Sequence, residues 1–393
     1  MKHQVVIWGS DNYNTLGLLR SLACKDLDIL VLINGGKHGV VSASRYCTRI
    51  KVVKSNTEAI DFLLATYPEC SESDRRAVLL PGGDSYSIAC ARHFELLHKR
   101  FHLMCTEDPE VVIRVTDKSE MAKEAEKAGL LVPLSQRYVV DKTTVDVPFP
   151  IIMKHIERKG RVEFKTKVIK TAEELEHFKK YLNHDNTYLV QQYIPKSHDI
   201  VVYGCRLPDG EVKLAGHHTL ERWSDDGGGS YGHLSPEIPE YLQPEALARF
   251  LSNVDYHGLF SAEYGFYNGK AYFYEVNFRN DGFCHLTLQA GANLPLLWVQ
   301  SCLSLPVTAP AKMTKPVVGM NEVYDIINVF RGNISYKRYR KDLKEAGAFH
   351  FFDAKDPKPY KNMHRRMIWE IPMRAILKAF RPKIVWLLAK FKL

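Results

Sequence analysis

The sequence predicts an α/β fold with a parallel βαβ unit at its amino terminus, a strand-rich second unit and a basic carboxyl-terminal extension. Three observations predict it. Short apolar strands alternate with glycine turns and helical patterns over the first hundred residues, an aromatic-rich hairpin lies near residue 270, and the cations crowd into the last sixty residues. With 393 residues, 45% hydrophobic, the chain is long enough for two or three compact units. The expected boundaries are 1–115, 116–310 and 311–393.

In order, Val5-Val6-Ile7-Trp8 is an apolar strand running into Gly9-Ser10-Asp11. A helical pattern over Leu16, Leu18, Leu19 and Leu22 follows, then a second strand, Ile29 to Ile33, before Asn34-Gly35-Gly36. Strand, turn, helix and strand make a parallel βαβ unit. Ala77-Val78-Leu79-Leu80 before Pro81-Gly82-Gly83-Asp84 is a third such strand, and ligands favour the carboxyl edge of such sheets. Neither strand is followed by GxGxxG, so this is not read as a dinucleotide site.

Thr116-Asp117-Lys118-Ser119 opens a helix that closes at Gly129, and Leu130-Leu131-Val132-Pro133 reads as a strand after it. Pro148-Phe149-Pro150-Ile151-Ile152-Met153-Lys154 is an apolar strand that delivers one cation to its end. Tyr188 to Ile194 is another, broken at Pro195, with Asp199 expected in the loop beyond.

The hairpin is the most informative element. Phe260 to Arg279 forms two strands around Asn268-Gly269, the strongest short-range hairpin signal. A strict two-residue loop would place Glu263 and Glu275 on opposite faces, because side chains alternate with period two. A bulge at Gly269 is therefore expected, bringing Glu263, Glu275 and Asn277 to one face, with Arg279 continuing it. Two carboxylates and an amide oxygen are hard ligands suited to Mg²⁺. Arg279 could grip a phosphoryl group or a carboxylate with both prongs of its fork. The competing reading is a polar strand face whose acids pair with lysines.

These motifs, in this order, resemble the ATP-grasp superfamily over about residues 1–310, with Glu275-x-Asn277-x-Arg279 and Glu263 twelve residues before as the strongest piece. The resemblance implies an ATP-grasp fold behind an amino-terminal pre-ATP-grasp domain. It also implies that Lys118 and Lys154 hold the phosphates of ATP, that Gln191, Gln192, Tyr193 and Ile194 form the hinge reading adenine, and that Asp199 accepts the ribose hydroxyls. Glu263, Glu275 and Asn277 would bind one or two Mg²⁺ ions, with Mn²⁺ an alternative, and Arg279, with Lys154, would act on an acyl-phosphate. Gln191-Gln192 stands where the family commonly has a glutamate, and Asp199 is shorter than the usual acid. The phosphate-covering loop His155 to Arg161 has one glycine and relies on charge, with Lys165 and Lys167 as additions. Asn12, Asn14 and Asp84 are implied contributors to the acceptor pocket.

The activity implied is ADP-forming carboxylate–amine ligation of the D-aspartate ligase type. A small carboxylate such as an amino acid is activated as an acyl-phosphate and displaced by an amine, which a cell-wall or surface-polymer precursor could carry in lipid-linked form. Two other readings stay open: bicarbonate activation resembling biotin carboxylase, and a nucleotide-binding protein without turnover.

Glu221 to Gly232, rich in glycine and acids, reads as a flexible active-site loop. Of His217 and His218 before it, at most one points inward. The eight cysteines form no CxxC pair and read as reduced core residues, which fits a cytoplasmic enzyme. No stretch of about eighteen apolar residues and no leader pattern is present. From Arg331 to Leu393 there are 17 Lys/Arg against 5 Asp/Glu, in a chain of net charge +9. The end, Met367 to Leu393, alternates cations with Trp, Phe, Leu and Ile, which suits peripheral contact with the inner, anionic face of a membrane or, alternatively, docking on the protein body. Nucleic acid is not an expected partner, since no helix-turn-helix, zinc spacing or stacking platform is visible.

Overall fold

A computed structural model describes residues 2–36, 39–72, 75–106, 108–156, 164, 166–224 and 228–367. The first sheet holds five parallel strands, β1 (His3–Gly9), β2 (Leu27–Asn34), β3 (Arg49–Val53), β4 (Ala77–Pro81) and β5 (Phe101–Leu103), in the order β3-β2-β1-β4-β5. Near-continuous apolar runs form these strands because helices cover both faces; Val5 to Trp8 and Val31 to Ile33 are fully buried. The chain builds outward from β1 to β3 and then returns to the other side of β1. This leaves the ends of β1 and β4 at a switch point, where the Ser10-Asp11-Asn12 and Gly82-Gly83-Asp84 turns open a crevice. Asn12 caps the helix Tyr13–Ser21 by accepting from the Thr15 N–H at 3.1 Å.

The second sheet is antiparallel, with strands β6 (Ser135–Tyr138), β7 (Ile151–His155), β8 (Thr166–Ile169) and β9 (Tyr188–Gln192) in the order β6-β9-β7-β8. Leu130 to Pro133 precedes it as irregular chain, not as the expected strand. The Leu131 carbonyl accepts from the Phe273 N–H at 2.8 Å, but the Leu131 N–H goes to the Gln243 side chain at 2.7 Å and Pro133 has none to give, so no continuous ladder forms.

The third sheet has seven strands: β10 (His198–Arg206), β11 (Val212–Trp223), β12 (Gly229–Ser235), β13 (Gly258–Tyr267), β14 (Lys270–Asn277), β15 (Val317–Met320) and β16 (Ala348–Phe349). Their order is β14-β13-β10-β11-β12-β15-β16. Three sequence expectations change here. Asp199 lies inside β10, paired with Leu220 and Gly265, rather than in a loop. Much of the glycine-rich segment is strand, with Ser230 and Tyr231 buried, because its glycines let β11 and β12 approach closely; a Cβ on Gly232 would stand 2.7 Å from His218 Nε2. Residues 317–349 complete this sheet, where a division at 310 would cut them off. Beyond β16 the chain crosses to the first sheet, and Arg20 meets Asp356 at 3.0 Å with both side chains buried. The tail from 368 onward and the loop 157–163, with Lys165, lie outside the described residues. Among those described, no helix is long and apolar enough to cross a membrane. The eight cysteines are unpaired, and five are buried.

Candidate active site

The β13–β14 hairpin explains how its acids converge. Tyr267 pairs with Lys270 across a strict two-residue turn in which both Asn268 and Gly269 have positive φ. The bulge is thus not at Gly269. It falls five residues further along, where Tyr264 pairs with Phe273 and Glu263 with Glu275, leaving Tyr274 as the extra residue. Its cause is the glycine opposite: the Tyr274 ring lies over Gly265, in space a Cβ would enter at 2.7 Å from Cε2. The effect on parity is the expected one, and Glu263 and Glu275 stand side by side.

Asn277 pairs with Ser261 and donates from Nδ2 to Glu263 Oε1 at 2.8 Å, which turns its own oxygen away from that acid. Lys118, one residue past the helix cap Asp117, reaches Glu275 at 2.6 Å. Burial, followed by the charge of Glu275, pushes the Glu263 carboxyl up to about 7. Protonation of one member is the expected response of two carboxylates close together with no cation between them. Among the described residues no group of three or more acids, histidines or cysteines would hold a metal by itself. Two carboxylates and an amide nevertheless fit Mg²⁺, which commonly takes few protein ligands and completes its shell with water and substrate phosphates.

Lys154 rises from β7 toward the same place. Its ammonium donates to Gln191 Oε1 at 3.0 Å, and Gln191 Nε2 donates to Ser135 Oγ at 3.0 Å. Burial first, then the nearby Lys118 charge, lowers the Lys154 ammonium to about 8. The Gln191 side chain is therefore occupied with the lysine. In the hinge, Gln192 N–H bonds to Leu134 O at 2.8 Å and Tyr193 N–H to Pro150 O at 3.0 Å. Neither can present its N–H to a base, and Ile194 is the hinge residue whose N–H has no partner among the described residues.

A cavity of about 570 Å³ lies between the crevice of the first sheet and the face of the third. Glu263, Asp199 and Arg279 line it together with Asn12, Asn14 and Asp84. Lys118, Glu275 and Asn277 line an adjoining space of about 250 Å³, and Asp84 borders both. Arg279 donates from Nε to Asp84 at 2.6 Å and lies 3.7 Å from Asp281, whose own carboxylate is fixed by Ser261 Oγ at 2.7 Å. Lys167 points away from this region, to Glu174 at 3.3 Å. His217 bonds outward to Glu237 O, while His218 is buried, held neutral and packed edge-on against Phe283, so one of the two does face inward.

Sequence reasoning missed Lys196, Tyr274 and His350, and had Trp223 only as part of the glycine-rich active-site segment, which does line the larger cavity through Trp223, Gly228 and Gly229. Lys196 contacts Asp199 and sits 5.6 Å from the Tyr274 ring and 6.0 Å from that of Trp223. A cation three residues before the acid was a signal that could have been used. His350 comes from the segment after β16 and meets Tyr13 edge-on at 4.8 Å, a contact with no local signature.

Together, the three-sheet architecture, with an antiparallel four-stranded sheet and a larger one facing each other across a carboxylate pair and converging cations, defines the ATP-grasp fold. Solved structures bear this out. The chain is similar to the ADP complex of purK, N5-carboxyaminoimidazole ribonucleotide synthetase, at 18% identity and a TM-score of 0.62 over 84% of this chain and 85% of that one. It is similar to L-amino acid ligase from Bacillus licheniformis at 12% identity and 0.59, over 81% and 79%. The biotin carboxylase domain of a thermophilic 2-oxoglutarate carboxylase follows at 14% identity and 0.57, over 81% and 74%. At these identities the likeness is one of fold. No family model and no curated protein matches the sequence.

Proposed function

We propose that the protein is an ATP-dependent, ADP-forming carboxylate–amine ligase that makes an amide bond through an acyl-phosphate. The observation that carries this reading is that Glu263 and Arg279 line the larger cavity and Lys118, Glu275 and Asn277 the adjoining one, with Lys154 5.7 Å from the Tyr274 ring on the wall of the larger. Lys118 and Lys154 would hold the nucleotide phosphates, the Ile194 N–H would meet adenine, and Asp199 would take the ribose hydroxyls. Mg²⁺ held by Glu263, Glu275 and Asn277 would neutralise charge on the phosphates. Arg279 would orient the carboxylate that attacks and steady the acyl-phosphate it becomes; positioning and charge are the main resources in phosphoryl transfer. No covalent bond to the protein is required, because the substrate carboxylate is the nucleophile.

The carboxylate is an amino acid in this reading, and the amine belongs to a cell-wall or surface-polymer precursor, lipid-linked at the inner face of the membrane. The basic sequence from Met367 to Leu393 supports peripheral attachment there. The test is ADP and phosphate release from Mg-ATP across a panel of amino acids, with and without amine acceptors and bicarbonate. Release requiring both an amino acid and an amine is expected. Release that needs bicarbonate and no amine would replace the ligase with bicarbonate activation, and ATP binding without release under every condition would leave a nucleotide-binding protein.

A further inference from the structure

The helix Tyr336–Glu345 packs on the edge of the third sheet with few of its residues. Tyr339 and Asp342 are buried, whereas Lys337, Arg338, Arg340, Lys341 and Lys344 are exposed. Its acids are engaged close to home. Asp342 holds Arg222 at 2.8 Å and Arg338 at 2.7 Å, and Glu345 lies 3.6 Å from Lys341. Lys337, Arg340 and Lys344 have no carboxylate partner among the described residues, so the outward surface is strongly cationic. Beside it, Phe330 is 65% exposed and Tyr336 is 59% exposed. The Tyr336 ring stacks on Tyr339 at 6.3 Å with its other side in water, and Phe330 has no ring contact among the described residues, so two large aromatic side chains stand in water next to a row of cations.

We infer that this face docks on an anionic phospholipid surface. Cations supply attraction to lipid headgroups, and rings such as those of Phe330 and Tyr336 gain by entering the headgroup boundary. Nucleic acid would use the cations but has no need of a phenyl ring at the rim with nothing to stack in a duplex. The surface is also tied to the candidate site. Asp342 and Asp325 clamp Arg222 of β11, at 2.8 and 2.7 Å, and the next residue, Trp223, lines the larger cavity with Gly228 and Gly229 across the hairpin. A membrane contact here is therefore one hairpin away from the pocket.

The test is sedimentation of the full chain with vesicles of phosphatidylcholine alone or mixed with phosphatidylserine, at low and high salt. The protein should bind the mixed vesicles only, and salt should release it. The variant K337E/R340E/K344E should weaken that partition by more than about tenfold, and F330S should weaken it severalfold at low salt, where the parent is bound, and lower the salt concentration at which the protein is released. Both variants should melt at the parent temperature, since the altered side chains are exposed. Unchanged binding by the triple variant would overturn the proposal, as would absence of binding by the parent. Retention by duplex DNA as tight as by vesicles, with F330S without effect, would also overturn it in favour of a general polyanion site. ADP release plays no part in these readouts, so the outcome is independent of the ligase reading.

Discussion

Glu263 carries the clearest consequence at the level of single residues. Burial and the neighbouring Glu275 raise its carboxyl to about 7, against 4.5 for the ordinary group. The folded protein thus holds this proton more tightly than the unfolded chain. The resulting stabilisation is complete below the unfolded value and is lost as pH rises through about 7. Glu263→Gln keeps a neutral group at every pH, so without divalent cations it should be more stable than the parent at pH 8 by on the order of 2 kcal/mol, with the gap closing toward pH 5. Urea titrations at the two pH values check this, and a constant gap would contradict it. In the proposed ligase the same substitution should lower ADP release by about 10²-fold or more, as should Glu275→Gln, because each would remove a charge that holds Mg²⁺ against the phosphates. Lys154 runs in the opposite direction: with its value lowered to about 8 it keeps its charge at neutral pH, and only above about pH 8 would bound phosphates have to draw the proton back. The KM for ATP should therefore rise as pH passes 8, and Lys154→Met should raise KM and abolish that dependence.

At the level of elements, the β13–β14 hairpin shows what can be read from sequence and what cannot. Asn268-Gly269 announces the turn, because its backbone needs positive φ at both positions, and the acids announce the chemistry. The bulge was legible only as a parity requirement. Its position depends on the Tyr274 ring crossing Gly265 on the partner strand, a fact of cross-strand packing that no local pattern encodes. Lys118 and Lys154 were legible because each sits at the end of a regular element. The hinge was legible as a strand, but the commitment of its N–H groups to Leu134 and Pro150 depends on distant chain. His350 was hidden for the same reason. Gly265→Ala follows from this view: the added methyl must displace the Tyr274 ring, on whose face Lys154 and Lys196 rest at 5.7 and 5.6 Å. The variant should fold and lose about 1–3 kcal/mol of stability, with KM for ATP rising more than kcat falls. Equal loss in both parameters, or none, would show that the ring does not help to place the lysines.

Across the whole molecule, the third sheet alone does not make the pocket; it needs the first sheet held against it, and the carboxyl-terminal segment does the holding. Arg20, on the helix Tyr13–Ser21, donates to Asp356 at 3.0 Å and to the Phe351 and Asp356 carbonyls at 2.9 Å each. Asp356 also accepts from Ser44 Oγ at 2.7 Å and from the Arg45 N–H at 2.9 Å, so both of its oxygens are used. Removing the acid strands a buried guanidinium, which commonly costs about 3–5 kcal/mol, whereas replacing both partners with apolar residues of similar size costs far less. Asp356→Ala should accordingly unfold at a markedly lower urea concentration, and the pair Arg20→Met with Asp356→Leu should recover much of the loss. Function should follow a different course. The segment from Ala348 to Asp356 also carries His350 to the wall of the larger cavity, against Tyr13 and near Phe283. In the double variant, which restores packing but not the hydrogen bonds that fix this segment, ATP should still bind while ADP release with amino acid and amine remains reduced. Full recovery of both stability and release would mean that the clamp serves the fold alone, and that the pocket wall keeps its shape through the ring contacts of Tyr13, His350 and Phe351.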